Sequence, residues 1–146
     1  GLRKPHLPYI APKRFWDLFA GVKIVPQSGK IHRSLGKFKA HVREDRQYQR
    51  PFPKHHFPEM IKGYYACVAF IDEQIGRLLR VLESSKSRDN TIVIITSDNG
   101  YSVGEHGFWA KHNMLDNALR VPLIIYDKRF GTGTSHAPVE LVDIFP

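Results

Sequence analysis

Apolar positions near the middle of the chain recur at three- and four-residue spacing, which is the period of an amphipathic helix. They include Ile61, Tyr65, Val68, Ile75 and Leu82. Pro58 suits a first helical turn, and the polar stretch "SSKSRDN" after the last apolar position provides a stop. The pattern therefore predicts one long helix over residues 58–85.

Two shorter apolar runs follow the predicted helix, and both are rich in β-branched residues. The first, at 91–96, is bounded by turn residues and predicts a strand buried on both faces. The second, at 121–126, has Pro122 near its start, where a missing backbone donor is tolerated. A polar loop over residues 97–113 separates them. This order of helix, buried strand, polar loop and strand indicates an α/β fold.

Residues 1–57 lack this periodicity and are rich in proline, histidine and basic side chains. One or two helical turns are expected after Pro12, and the remainder should be loop-like. Residues 1–62 carry 14 Lys and Arg against 4 Asp and Glu, so the net charge of +8 is concentrated in this half. The imbalance fits either a polyanionic partner or a solvated basic surface. Short motifs of nucleic-acid-binding modules are absent, so no nucleic-acid partner is expected.

The ends of the sequence and its single cysteine add further expectations. The sequence begins with Gly1 and ends in the amphipathic stretch "VELVDIFP", so we expect an internal piece of a larger protein, from which no targeting signal can be read. No apolar run approaches the roughly 18 residues of a membrane span. Cys67 has no partner for an internal disulfide and is expected to be a small buried hydrophobe on the apolar face of the helix.

Polar side chains follow the first predicted strand at its carboxyl end, where open α/β sheets bind their ligands. Asp98 and Asn99 offer hard oxygen atoms of the kind that bind Ca²⁺ or Mg²⁺. Gly100 is expected to let the backbone turn tightly after them. Two ligands do not complete such a site, so the others would have to come from elsewhere. Taken alone, "SDNG" is also a common turn.

Further candidates lie later in the loop and near the start of the chain. Lys111 would place a second positive charge beside a divalent cation, an arrangement that suits sulfate or phosphate, although alone it could be a surface charge. His6, between two prolines, could donate to an ester oxygen or transfer a proton. Glu105 and Trp109 are expected to shape the loop, and His106 to support it rather than to bind zinc.

Together these motifs resemble the type I sulfatases of the alkaline-phosphatase-like superfamily. That family carries "S-D-[NH]-G" after a buried strand and then "G-E-H-G-x-W-x-K", and both stand intact here within "SDNGYSVGEHGFWAK". The resemblance extends back through "YYACVAFIDEQIGRLLRVLE" and forward through "LRVPLIIY" and "VELVDIFP". The opening "KPHLPYIAPKRFWDLF" is most similar to the iduronate-2-sulfatase-like branch.

The resemblance implies an enzyme that hydrolyses sulfate esters of a sulfated carbohydrate. It implies part of a domain with a mostly parallel sheet flanked by helices, whose N-terminal half is missing from these residues and would be their partner. Asp98 and Asn99 would bind one Ca²⁺, with its other ligands outside this chain. Lys111 would contact the sulfate, and His6 would contact the sulfate or assist the leaving group. The nucleophile would be a formylglycine made from an upstream cysteine or serine, and the same resemblance implies a periplasmic or secreted location.

One departure from the family pattern limits these expectations. Formylglycine arises in "[CS]-x-[PA]-x-R", whereas Cys67 is followed by "VAF" and cannot be its source. We therefore predict that the chain expressed alone has no sulfatase activity. Because the first strands of the sheet are missing from these residues, the chain alone is also expected to be poorly soluble or partly molten. Two alternatives remain at this point: a phosphodiesterase or phosphonate hydrolase of the same superfamily, and a non-catalytic, calcium-dependent relative that binds polyanions.

Overall fold

The structure is a computed structural model that describes residues 1–26, 53–105 and 108–145. Expectations for residues 27–52 and for His106 therefore lie outside the described residues. In chain order the elements are helix α1 (Lys13–Asp17), helix α2 (Phe57–Glu83), strands β1 (Val93–Thr96), β2 (Ser102–Val103) and β3 (Trp109–Ala110), helix α3 (Asp116–Leu119) and strand β4 (Leu123–Tyr126). Short 3₁₀ turns cover Lys54–His56, Arg88–Asn90 and Leu141–Ile144.

Helix α2 corresponds to the long amphipathic pattern in the sequence. It begins at Phe57 and has Pro58 in its first turn, where the missing backbone donor has no helical partner to lose. It ends at Glu83, two residues before the end of the helix predicted over 58–85. Although α2 has 27 residues, none of the helices in the described ranges is both long and apolar enough to cross a membrane.

A small core lies between α1, α2 and the segment before α1. Its buried apolar side chains are Phe15, Ile61, Ala66 and Cys67, with Ala118 buried in α3. The Phe15 ring lies 5.4 Å from the Phe70 ring, between their centroids. α1 packs so closely on α2 that a Cβ at Gly63 would lie 2.8 Å from the Trp16 ring. Cys67 is fully buried, as expected from its place on the apolar face, and burial raises the pKa of its thiol.

Strands β1 and β4 form a two-stranded antiparallel sheet, in which Ile94 lies opposite Ile125. The strands are shorter than the predicted 91–96 and 121–126, because a 3₁₀ turn at Arg88–Asn90 precedes β1 and Pro122 cannot donate to the ladder. The mostly parallel sheet was expected of the whole domain; the two strand pairs in the described residues are antiparallel. A parallel neighbour requires a crossover connection, whereas the loop between β1 and β4 returns the chain in the opposite direction.

Both faces of the sheet carry exposed apolar side chains, contrary to the prediction that residues 91–96 are buried on both faces. Ile94 and Ile125 share one face and are 45% and 59% exposed, and Ile124 on the other face is 57% exposed. The sequence pattern is that of a strand with cover on both sides. Within the described ranges, no second layer covers these three positions. The apolar composition of residues 91–96 is therefore that of a covered strand, although the described residues do not cover it.

The segment predicted as a polar loop over 97–113 contains a hairpin. Ser102 pairs with Ala110, and Val103 pairs with Trp109, so β2 and β3 run antiparallel. The hairpin folds the distant half of the loop back toward the end of β1. This return is the feature of the fold that positions the candidate site.

Candidate functional site

The candidate site begins where strand β1 ends. The Ser97 hydroxyl donates to the backbone carbonyl of Asn99, with 2.8 Å between the oxygens, and this bond closes a turn around Asp98. The Asp98 side chain is exposed and makes no hydrogen bond or ion pair with any described residue. Its carboxylate is therefore available to a ligand at the carboxyl end of a strand, where α/β folds bind them.

The side-chain amide of Asn99 is held at both ends. Its Nδ2 donates to the backbone carbonyl of Gly100 at 2.8 Å. Its Oδ1 accepts a hydrogen bond from Lys111 Nζ, also at 2.8 Å. Two residues that the sequence marked for metal and sulfate binding, 12 positions apart, are thus in direct contact.

The β2–β3 hairpin explains how Lys111 reaches Asn99. The register that pairs Ser102 with Ala110 places the next residue, Lys111, beside the start of the loop. Ala110 has a φ of 69°, in the left-handed region that non-glycine residues rarely occupy. This backbone conformation lies immediately before the lysine and helps to set the direction in which its side chain leaves the strand.

Gly100 is required here for a reason other than the one expected. The sequence suggested a tight turn, but the described glycines with positive φ are Gly21 and Gly104. A Cβ at Gly100 would lie 2.0 Å from the backbone carbonyl oxygen of Asn117. The Gly100 amide also donates to the carbonyl of Ala118 at 2.8 Å. Gly100 therefore allows two backbone segments to touch, which docks α3 against the end of β1.

Glu105 and Trp109 lie at the far end of the hairpin. Glu105 Oε2 accepts a hydrogen bond from the backbone amide of Val103 at 2.6 Å. The Trp109 ring covers Gly104, where a Cβ would lie 3.3 Å from it, and its centroid is 4.8 Å from that of Phe57. Trp109 Nε1 is buried without a hydrogen-bond partner among the described residues. Both side chains contact the hairpin itself, which is the geometry that a role in shaping the loop requires.

His6 lies in a separate segment, and no hydrogen bond among the described residues joins it to Lys111. Its Nδ1 is 2.7 Å from the carbonyl oxygen of Leu7. Because a carbonyl oxygen can only accept, Nδ1 carries the proton. The exposed ring therefore presents Nε2 to its surroundings, as an acceptor when neutral and a donor when protonated.

A cluster of three tyrosines connects the His6 segment to the loop. Tyr64 on α2 stacks on Tyr101, two residues after Asn99, with 5.5 Å between ring centroids. Tyr9, three residues after His6, packs edge-on against Tyr64 at 5.9 Å. Burial raises the pKa of both Tyr9 and Tyr64, so these two phenols stay neutral at neutral pH. The segments that carry His6 and Asn99 thus share one aromatic support on α2.

Sequence reasoning missed the residues that support the loop from within. Ser102 is fully buried, and Asn113 Nδ2 lies 3.4 Å from its hydroxyl oxygen. Asn113 Oδ1 also accepts from the backbone amide of Leu115 at 3.0 Å, which fixes the chain just before α3. The available signal was the glycine-spaced stretch "YSVGEHGFWA", typical of a short hairpin, in which Ser102 and Ala110 would have been paired.

The donor atoms present fit part of a calcium site. Asp98 and Asn99 provide hard oxygens on adjacent residues, and the Asp98 carboxylate is exposed. Calcium takes six to eight oxygen ligands, so two residues do not complete its shell. Within the described ranges, no group of three or more His, Cys, Asp or Glu side chains is placed to hold a metal.

Comparison with known proteins gives the chain its family. Residues 2–146 match the family model described as Sulfatase. Iduronate 2-sulfatase of Mus musculus is 34% identical over 139 residues, which cover 86% of this chain and 25% of that protein. N-acetylglucosamine-6-O-sulfatase of Bacteroides thetaiotaomicron is 40% identical over 92 residues, 62% of this chain and 16% of that protein. The chain thus spans a quarter or less of the length of these curated relatives.

Solved structures show the same fold. A protein in complex with its substrate, D-glucosamine-2-N,6-O-disulfate, aligns with a TM-score of 0.64 at 22% identity, over 87% of this chain and 37% of its own. The protein YidJ of Bacteroides fragilis aligns with a TM-score of 0.61 at 26% identity, over 85% of this chain and 24% of its own. The predicted α/β class and the likeness to iduronate 2-sulfatases are both confirmed. From its motif-bearing loop to its overall fold, the chain belongs to the sulfatase family.

Proposed function

We propose that residues 1–146 form part of a sulfuric ester hydrolase that removes sulfate from a sulfated sugar or polysaccharide, using calcium and a formylglycine. The observation that carries the proposal is the contact between Lys111 Nζ and Asn99 Oδ1, 2.8 Å apart at the end of β1. It places a cationic side chain beside a pair of hard oxygen donors. A lysine and a divalent cation aimed at one place stabilise the charge of a tetrahedral oxyanion.

Each predicted site residue has a definite role in this proposal. Asp98 and Asn99 bind calcium, which when bound polarises the sulfate ester. Lys111 contacts the same sulfate group as a second positive charge. His6 keeps its proton on Nδ1 through Leu7, so Nε2 is the atom that contacts a sulfate oxygen or passes a proton to the leaving alcohol.

The supporting residues act on the loop rather than on the substrate. Gly100 permits the contact between the loop after β1 and α3, and Glu105 and Trp109 hold the hairpin that carries Lys111. For His106 we propose the same supporting role on the basis of the sequence alone. A formylglycine made from a cysteine or serine outside this chain supplies the nucleophile, so the chain alone has no activity.

The substrate class is inferred from relatives and charge. The two relatives described above at 34% and 40% identity are named for the sugars iduronate and N-acetylglucosamine. The basic balance of residues 1–62 favours a substrate with several anionic groups. A sulfated carbohydrate satisfies both observations.

The remaining partner is the rest of the same catalytic domain. Ile94, Ile124 and Ile125 are each exposed by 45% or more, on a sheet whose composition is that of a covered strand. We assign their cover to sequence outside residues 1–146, because the curated relatives are several times longer than the part that aligns here. This assignment also accounts for the poor solubility expected of the chain alone.

Hydrolysis of 4-methylumbelliferyl sulfate tests the proposed function in the longest natural polypeptide that contains residues 1–146, called here the parent polypeptide. Asp98→Ala and Lys111→Ala should each reduce turnover by about 10²–10³-fold, the usual effect of removing one group that stabilises the transition state. Lys86→Ala, at an exposed lysine after α2, is the matched control and should leave turnover unchanged.

Three results would contradict the proposal. Faster hydrolysis of the corresponding phosphate ester would favour a phosphodiesterase or phosphonate hydrolase. Calcium-dependent binding of heparin without turnover would favour a non-catalytic binding protein. Measurable turnover by the 146-residue chain alone would show that these residues contain the nucleophile.

A further inference from the structure

The orientation of the Asn99 amide is set by two contacts of opposite kind. Nδ2 needs an acceptor and has the Gly100 carbonyl at 2.8 Å, while Oδ1 needs a donor and has Lys111 Nζ at 2.8 Å. Rotating the amide by half a turn would place its NH₂ group against an ammonium and its oxygen against a carbonyl. Both new contacts would be repulsive, so the amide has one favourable orientation and its oxygen faces Lys111.

Lys111 needs such a partner more than an average lysine does. A lysine side chain has four rotatable carbon bonds and loses considerable rotamer freedom when its end is fixed. Lys111 is half-buried, and its hydrogen bond to Asn99 is the polar contact that fixes its end among the described residues. Ala110, with a φ of 69°, fixes the backbone just before it. The backbone is therefore constrained just before Lys111, and the side chain is constrained at its ammonium end.

We infer that Asn99 is a positioning residue for Lys111, in addition to its proposed role as a metal ligand. The Oδ1 atom has two lone pairs, so accepting from the ammonium leaves one lone pair for another partner. By holding the ammonium at the end of β1, Asn99 fixes the point at which the second positive charge meets the sulfate. The relevance for sulfate rests on the function proposed above, whereas the positioning of Lys111 is a property of these residues alone.

Trace acetylation of lysines with acetic anhydride tests the inference without any turnover. The parent polypeptide is labelled in the presence of EDTA, so that loss of a metal ligand cannot affect the result, and Lys111 is quantified by mass spectrometry relative to exposed Lys86. The hydrogen bond holds the ammonium against Asn99 and limits access to it, so Asn99→Ala should raise Lys111 labelling about tenfold, the order expected for losing a hydrogen bond to a charged group. Asn90→Ala, an exposed asparagine before β1, should leave it unchanged.

The conservative variant separates positioning from a general structural effect. Asn99→Asp keeps an acceptor facing Lys111 and adds a negative charge, so Lys111 labelling should stay at or below the wild-type value. Labelling that is unchanged in Asn99→Ala, or that rises equally in Asn99→Asp, would overturn the inference. A variant that unfolds would label Lys62 on α2 more strongly as well, and the Asn99→Asp comparison then decides.

Inorganic sulfate provides the separate check on function. If Lys111 contacts sulfate, adding sulfate and calcium to the wild-type parent polypeptide should lower Lys111 labelling further. Absence of protection would count against the proposed function, while the difference between Asn99→Ala and Asn99→Asp would still establish the positioning role.

Discussion

The ring of Tyr9 meets the ring of Tyr101 edge-on, with 6.4 Å between centroids and 76° between planes. This contact joins the segment that carries His6 to the loop that carries Asn99. Burial, followed by the neighbouring Tyr101, raises the pKa of Tyr9 well above its ordinary value of 10.0. The phenol is therefore neutral in the folded protein at pH values where it ionises in the unfolded chain.

The Tyr9 shift predicts a loss of stability in alkali. Above pH 10 the unfolded chain binds fewer protons than the folded one, so the free energy of unfolding falls as the pH rises through this range. Tyr9→Phe removes the titrating group and should make the fall smaller. The measurement is urea unfolding of the parent polypeptide at about pH 8 and about pH 10.5, for wild type and variant.

Tyr65→Phe is the matched control, because Tyr65 lies exposed on α2, away from the sheet that is expected to be covered in the parent polypeptide. It should show the same alkaline decrease as the wild type. An identical decrease in Tyr9→Phe would mean that Tyr9 does not stay neutral in the folded protein, contrary to its burial against Tyr64 and Tyr101.

Gly100 gives a second prediction, based on contact rather than charge. A methyl group there would lie 2.0 Å from the carbonyl oxygen of Asn117, and a backbone oxygen cannot rotate away as a side chain can. Gly100→Ala should therefore lower the free energy of unfolding of the parent polypeptide by about 3 kcal/mol or more. Gly76→Ala on α2 is the control, since its methyl group would be 3.5 Å from a flexible Arg80 guanidinium.

The control should shift in the opposite direction. Alanine at Gly76 should raise the free energy of unfolding by about 0.5–1 kcal/mol, because glycine is unfavourable within a helix. Equal effects of the two substitutions in urea unfolding would show that Gly100 and α3 do not approach each other as closely as the structure has them.

Elements of this fold could be predicted from the sequence where the pattern of apolar and polar residues that specifies them is local. The helix pattern extends over seven turns, and α2 follows it within two residues at its end. The strands were harder to predict. The apolar run at 91–96 indicates a strand that is covered on both faces, but it does not show at which residue strand pairing begins. Strand direction depends on how the connecting loop closes, so the antiparallel pairing of β1 and β4 could not be read from composition.

The site divides in the same way. Asp98, Asn99 and Lys111 could be identified from the sequence because a carboxylate, an amide and an ammonium group can bind metals or anions through the side chain itself. The contact between Asn99 and Lys111 depends on hairpin register, and the left-handed φ of Ala110 depends on that hairpin closing. The requirement for Gly100 comes from α3, a neighbour in space that no local pattern reveals.

The pair formed by Ile94 and Ile125 gives the last prediction. The two side chains lie opposite each other on one face of the sheet and are exposed in the described structure. Since paired strands with unprotected apolar faces and open edges associate with other chains, this face should limit the solubility of the 146-residue chain expressed alone. In the parent polypeptide the same face should be covered.

The double variant Ile94→Thr, Ile125→Thr should therefore increase the solubility of the 146-residue chain but destabilise the parent polypeptide. In the 146-residue chain it should lower binding of the dye ANS by about twofold or more and increase the soluble fraction, because threonine keeps strand propensity while removing apolar surface. In the parent polypeptide it should lower the free energy of unfolding by about 1–2 kcal/mol per site, as for burial of a smaller side chain with an added hydroxyl.

The control is Val139→Thr with Val142→Thr, two exposed residues outside the sheet. It should change neither ANS binding by the 146-residue chain nor the stability of the parent polypeptide. Sharp cooperative unfolding of the wild-type 146-residue chain without ANS binding would show that these strands need no cover from elsewhere.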